Sequence, residues 1–207
     1  MRSTRATPKP ARRKVPDYLV REVVDGVNFY YPGYRSVMNK TKKLDEIMPD
    51  SVLQGSLKTQ IGFFLNSKLT AKKYRIIVGE SGLYISHRNN FGLDIAVYDK
   101  SVLTPEKITD SYSKVPAELV IEIDLKVETE GKHTDLFNDF VIPKTQQLLD
   151  FGTQKVVWYF SRTRKVMTAM PDKKWEFQDW STPVEIMPGL LLDIYKLMEE
   201  ADISLNE

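Results

Sequence analysis

A short apolar run, residues 118–126, carries the side chains whose types and spacing could do chemistry. Every second residue is apolar, which predicts a β-strand with one face on a hydrophobic core. Those residues are Leu119, Ile121, Ile123 and Leu125. Glu122 and Asp124 would then project from the other face, about 7 Å apart at ~3.3 Å per residue. Away from bulk water, two such carboxylates must take up a proton or share a cation. The alternative is a solvent-exposed sheet face on which Lys126 balances the charge.

A second apolar strand, residues 93–98, has Asp94 near its start. If it pairs antiparallel with residues 118–125, its beginning lies beside the end of its partner. Asp94 would then approach Glu122 and Asp124. Three converging carboxylates would form a Mg²⁺ site, because this ion prefers carboxylate oxygens and retains several waters. The alternative is that Asp94 is simply a turn residue.

A lysine in the first turn of a predicted helix is the third feature. Pro143 favours that first turn, so Lys144 would lie near the positive end of the helix dipole. A cation there costs about 0.3–1 kcal/mol. A nearby group of acids would offset this cost, which indicates a functional lysine. The alternative is an ordinary solvated lysine.

Together these segments resemble the PD-(D/E)XK nuclease superfamily, and residues 94–158 are similar to the Uma-type family of restriction endonucleases. In that family an aspartate strand is followed by an apolar strand bearing glutamate. A helix with a displaced lysine, a glycine and a strand with an aromatic residue come next. The corresponding residues here are Leu93-Asp94-Ile95-Ala96-Val97, Val120-Ile121-Glu122-Ile123-Asp124, Lys144 through Leu149, Phe151-Gly152 and Val156-Val157-Trp158-Tyr159.

The resemblance implies an endodeoxyribonuclease that hydrolyses DNA phosphodiester bonds with Mg²⁺, or with Mn²⁺ in its place. Asp94 and Glu122 would bind the metal, and Asp124 would be a further ligand or a neighbouring acid. The metal would polarise the phosphate and lower the pKa of the attacking water. A lysine would orient or deprotonate that water and offset the developing negative charge.

Two lysines compete for this role. Lys126 is two residues past Asp124, as in the unmodified signature. Lys144 matches the displaced family position and is preferred, since Asp124 then occupies the usual lysine position. Gln147 would share a helix face with Lys144 and could contact the phosphate. Glu80 is a further candidate acid, with a turn residue as the alternative.

The elements that must position these residues form a mixed pattern. We predict an α/β or α+β fold with a restriction-endonuclease-like core, in which helices flank a central mixed β-sheet. The predicted helices cover residues 44–69 (with Ser56 as a candidate N-cap), 134–151 (interrupted at Pro143) and a C-terminal stretch from Leu191. The predicted strands cover 74–78, 83–86, 93–98, 118–125, 155–160 and 166–170, with an edge strand at 175–180.

Composition sets the class of protein. The 207 residues suit one domain, placed at 17–207 behind a basic and disordered tail at 1–16. The chain has no cysteine and two histidines, which argues against disulfides, thiolate zinc sites and multi-histidine metal sites. No apolar run approaches the ~18 residues of a membrane span, so a cytoplasmic protein without membrane contact is expected.

Two classes of function remain open at this point. The leading hypothesis is a Mg²⁺-dependent endonuclease acting on DNA, for which a homodimer would be natural because a duplex has two strands to cut. The alternative is a non-catalytic module that keeps the nuclease fold and binds nucleic acid or a protein, using the basic tail.

Overall fold

The computed structural model of the protein describes residues 14–131 and 135–205. The basic tail predicted at 1–16 therefore lies almost wholly outside the described residues. Within the described ranges, no helix is both long and apolar enough to cross a lipid bilayer.

An eight-stranded mixed sheet forms the centre of the fold. Its strand order is β2-β1-β4-β5-β6-β7-β8, and β3 pairs with β4. The β5–β6 pair is parallel, and the other pairs are antiparallel. The strands are β1 Val20–Val24, β2 Val27–Tyr30, β3 Tyr74–Ser86, β4 Asn89–Asp99, β5 Leu119–Ile123, β6 Lys155–Phe160, β7 Lys165–Ala169 and β8 Glu176–Asp179. A separate hairpin joins β9 (Val184–Met187) to β10 (Leu190–Leu192).

Helices cover both faces of this sheet. The helices are α1 Tyr34–Met38, α2 Val52–Lys68, α3 Ile142–Asp150 and α4 Ile194–Glu199. On one face Ile61 of α2 packs in a buried cluster with Ile121 of β5. On the other, Leu148 of α3 packs in a second cluster with Val120. Because neighbouring residues of β5 are buried on opposite faces, the predicted alternative of a solvent-exposed sheet face is wrong. The predicted fold class, helices flanking a central mixed sheet, is confirmed.

The sheet opens on one side of β4, and this opening positions the candidate site. One edge of β4 pairs with β3 along its length. The other edge pairs with β1 at Asn90 and with β5 from Ile95 to Val97. Between these two neighbours, residues 91–94 have no strand partner on that edge within the described chain. Backbone and side-chain groups there are free to face a polar site.

Several boundaries differ from those predicted. The strands expected at 74–78 and 83–86 are one strand, β3, with a register shift between Val78 and Ser81. Helix α2 is capped by Ser51, whose side chain accepts from the backbone N–H of Gln54, so the prediction of Ser56 was wrong. The predicted break at Pro143 is also wrong, because a π-helical turn at Phe137–Val141 leads directly into α3. Pro143 has no N–H to give to a carbonyl of that turn.

Candidate active site

A small cavity lies at the opening of the sheet, with a volume of about 10 Å³. That volume accommodates roughly one water-sized group. All five side chains singled out from the sequence line it, although they come from β4, β5, α3 and the loop after β5. These residues are Asp94, Glu122, Asp124, Lys126 and Lys144.

Lys144 is the most deeply placed of them, with no exposed surface. Its Nζ donates to the carbonyl oxygen of Gly92 at 2.9 Å and to Glu22 Oε1 at 3.1 Å. The Gly92 carbonyl can accept this bond because the edge of β4 away from β3 has no strand partner at residues 91–94 of the described chain. Nζ also lies 3.1 Å from Glu122 Oε1. One ammonium group from α3 therefore contacts carboxyl groups from both β1 and β5, and its single charge balances one of them.

Burial and ion pairing have opposite effects on the pKa values of this trio. Burial raises the pKa of Glu122 to about 8, against the opposing effect of Lys144, and it also raises the pKa of Glu22. Burial alone would lower the pKa of Lys144, but Glu122 and Glu22 more than compensate and raise it. The lysine is therefore held in its charged form, and the two carboxyls compete for a proton as a coupled pair.

Asp94 lies inside β4, and the prediction that it begins the strand is wrong. Its side chain contacts a lysine of α2, whereas Glu122 contacts a lysine of α3. Its Oδ2 accepts the N–H of Ile123 at 2.8 Å. Its Oδ1 lies 2.6 Å from Nζ of Lys58, on α2, and 3.3 Å from Nζ of Lys126. Both ammonium groups also contact Asp50 at 2.6 Å. Asp94 is 4% exposed. Asp94, Asp50, Lys58 and Lys126 thus form one network of four charged groups.

Asp124 does not share a strand face with Glu122, so that part of the prediction is wrong. Strand β5 ends at Ile123, and Asp124 has a left-handed backbone with φ of +61°. Its carboxylate accepts from the N–H and hydroxyl of Ser161, both at 2.6 Å, and from the Gln54 amide at 3.0 Å. Asp124 therefore fastens the end of β5 to the end of β6 and to α2.

Two other candidates from the sequence take different partners. The Gln147 amide contacts Asn89 and Asp25, at the turn between β1 and β2, and not the carboxylates around Lys144. Glu80 forms an ion pair with Arg21, which itself lines the cavity. Neither side chain contacts a carboxylate of the cavity.

Sequence reasoning missed Glu22, Lys58 and Asp50. A signal for Lys58 exists, because it shares a 3–4 residue spacing with Ile61 and Leu65, and a lysine in such an apolar stripe needs a buried partner. Glu22 alternates with Val20 and Val24 along a short strand, which is a weaker form of the same signal. Asp50 precedes the helix cap and has no local signal.

The donor chemistry of the site fits a hard divalent cation. The charged side chains that line the cavity are four acids, Glu22, Asp94, Glu122 and Asp124, and three cations, Arg21, Lys126 and Lys144. Glu22 Oε2 and Glu122 Oε1 are buried and accept no well-aligned hydrogen bond, although Nζ of Lys144 lies 2.9 Å and 3.1 Å from them. However, no three acidic or histidine side chains in residues 14–131 and 135–205 converge as a preformed metal site. Lysines supply the neutralising charge instead.

Comparison with known proteins identifies the fold. No protein-family model matches the chain, and no curated protein matches it. A crystal structure from Anabaena variabilis ATCC 29413, described as "a putative nuclease belonging to DUF820", is similar with a TM-score of 0.62. The two are 16% identical in sequence over 88% of this chain and 91% of the other. The chain thus has the fold of that protein over nearly its whole length.

Proposed function

We propose that the protein is a Mg²⁺-dependent endonuclease that hydrolyses phosphodiester bonds in DNA. The observation that carries the proposal is the set of buried carboxylates and lysines around a one-water cavity at the opening of the sheet. The similar fold of a protein described as a "putative nuclease" supports it by analogy. A cytoplasmic location and a homodimer stay predictions from the sequence.

Asp94 and Glu122 would hold the Mg²⁺ ion, or Mn²⁺ in its place, with hard oxygen donors. When bound, the ion would polarise the phosphate and lower the pKa of the attacking water. Asp124 is better suited to hold β5 in position than to bind the ion, because its oxygens already accept bonds from Ser161 and Gln54. Glu22 brings the additional carboxylate that the sequence did not reveal.

Lys144 remains the preferred lysine for the reaction. Because Glu122 and Glu22 keep it protonated, it is suited to orient water and to offset developing negative charge. Deprotonating the water would require the neutral amine, which this environment disfavours. Lys126 is the second candidate, since it contacts Asp94 and lines the same cavity.

A specific observation favours the alternative, a binding module that has kept the fold without the chemistry. Lys58 and Lys126 already neutralise Asp94, and Lys144 already neutralises Glu122. In such a cluster the lysines supply positive charge that a metal ion would otherwise supply. The two proposals differ in whether a divalent cation can displace these lysines from their carboxylates.

Calorimetric titration with Mg²⁺ and with Mn²⁺ tests the metal site. We expect the wild type to bind one ion, and Asp94→Ala and Glu122→Ala each to weaken binding at least about tenfold, since each removes a charged oxygen donor. Asp179→Ala is the matched control, because Asp179 is an exposed acid on β8 paired with Lys165. If neither cavity variant weakens binding, or the wild type binds no ion, the enzyme proposal is wrong.

Cleavage of plasmid DNA with Mg²⁺ tests the two lysines. We expect Lys144→Met to lose at least about ten times more activity per folded molecule than Lys126→Met, because Lys144 contacts two cavity carboxylates. Circular dichroism of each preparation gives the folded fraction. Full activity in both variants would exclude a catalytic lysine at either position.

A further inference from the structure

An aromatic and basic surface adjoins the cavity on the β3 side. Gly82 of β3 is the register partner of Gly92, whose carbonyl faces the cavity. The ring of Tyr112 lies directly against Gly82, where an added Cβ would be 2.4 Å from the ring. Since neighbouring strands are about 4.8 Å apart, Gly82, on which Tyr112 packs, lies roughly one strand spacing from Gly92 at the cavity edge.

The segment carrying Tyr112 is fixed to the sheet. Ser113 donates to the Gly82 carbonyl at 2.9 Å and accepts from the Tyr84 N–H at 2.8 Å. The next residue, Lys114, places its ammonium 5.7 Å from the centre of the Tyr84 ring. Tyr112 is 53% exposed and Tyr84 is 37% exposed. Two partly exposed aromatic rings with an adjacent cation therefore lie on a segment that is hydrogen-bonded to the sheet.

Arg21 connects this surface to the cavity. Its side chain is 8% exposed, it lines the cavity, and its guanidinium lies 5.2 Å from the centre of the Tyr31 ring. Its partner is Glu80, whose side chain is 34% exposed. Burial raises the pKa of Tyr31, so its hydroxyl stays neutral beside this pair. Glu80 is thus an accessible anion paired with the buried guanidinium of Arg21. An incoming anion could replace the Glu80 carboxylate there.

We propose that this surface binds an unpaired DNA strand, with bases stacked on Tyr112 and Tyr84 and a phosphate on Arg21 in place of the Glu80 carboxylate. Aromatic rings beside cations bind single strands, because an unpaired base offers its face whereas a base in a duplex is already stacked. Guanidinium binds phosphate through two parallel hydrogen bonds. The inference rests on the proposed function and defines its substrate class: DNA with unpaired nucleotides near the cleaved bond.

Fluorescence anisotropy of a labelled oligothymidylate of about 12 nucleotides, with EDTA present, measures this binding without metal or cleavage. We expect the single strand to bind more tightly than a duplex of the same length at the same salt concentration. Tyr112→Ala should weaken binding of the single strand about tenfold or more. Phe177→Ala is the matched control, because Phe177 is 55% exposed on β8, at the far edge of the sheet, and should leave binding unchanged.

Removing the charge of Glu80 tests the phosphate position. Glu80→Gln should strengthen binding of the single strand several-fold, because the competing anion is gone, and adding Arg21→Gln should remove that gain. Unchanged binding in Glu80→Gln would overturn the assignment of Arg21. Tighter binding of the duplex, or wild-type affinity in Tyr112→Ala, would overturn the proposed substrate class.

The outcomes separate this inference from the nuclease proposal. Binding of single strands that depends on Tyr112, in a protein that cuts no DNA with Mg²⁺, would support the surface and overturn the nuclease. Cleavage of duplex plasmid with unchanged binding in Tyr112→Ala would support the nuclease and overturn the surface.

Discussion

Replacing Lys144 with methionine is expected to lower the free energy of unfolding by about 3–5 kcal/mol, the usual cost of removing one partner of a buried ion pair. Lys144 is fully buried and contacts Glu22 and Glu122, both of which are themselves buried. Without the ammonium group these carboxyls must either take up protons or remain charged in a poorly solvated site. Urea denaturation followed by circular dichroism at pH 7 measures the change.

A surface lysine provides the control for this loss. Lys165→Met removes an ion pair with Asp179 in which both side chains are about half exposed, and should change the free energy of unfolding by less than about 1 kcal/mol. A triple variant, Lys144→Met with Glu22→Gln and Glu122→Gln, has no charge left in the trio and should recover part of the loss. Equal effects of Lys144→Met and Lys165→Met would contradict the buried trio described here.

The central part of the site could be predicted because it depends on local patterns. The alternation of Ile121 and Ile123 identifies a strand, and the apolar residues around Asp94 identify its neighbour. The two strands pair antiparallel as predicted, and Ile95 lies opposite Ile121. This register places Asp94 beside Glu122 on the neighbouring strand.

The remainder depends on contacts between distant parts of the chain. Glu22 and Lys144 are separated by 122 positions, and only the packing of β1 beside β4, together with α3 across the sheet, joins them. Asp124 deviates from the strand pattern because of its left-handed backbone, which alternation cannot reveal. The role of Lys58 likewise appears only once α2 is packed against the sheet.

These distant contacts supply the positive charge that balances the acids. The sequence predicts carboxylates that need a cation, and the structure shows lysines in that role from both layers of the fold. Lys58 and Lys126 balance Asp94 and Asp50, whereas Lys144 contacts both Glu122 and Glu22 and balances one of them. A metal ion would therefore compete with ammonium groups, which predicts weaker metal binding than at a cluster of acids alone.

Changing Asp94 to asparagine is expected to lower the rate of Mg²⁺-dependent plasmid cleavage about a thousandfold or more, equivalent to about 4 kcal/mol in the activation barrier. Asparagine keeps the shape of the side chain and an oxygen that can accept the Ile123 N–H. It loses the negative charge that would hold the metal ion. Single-turnover cleavage at saturating Mg²⁺ measures the chemical step, and Asp179→Asn should cleave as the wild type does.

The fold of the Asp94→Asn variant should survive, which makes the result interpretable. Lys58 and Lys126 keep Asp50 as a partner after the substitution, because both ammonium groups lie 2.6 Å from it. A thousandfold loss in a variant with a native circular dichroism spectrum would thus be due to the missing charge and not to unfolding. Cleavage within about tenfold of wild type would mean that Asp94 serves only the lysine network, and the cavity would then belong to a binding module rather than to a nuclease.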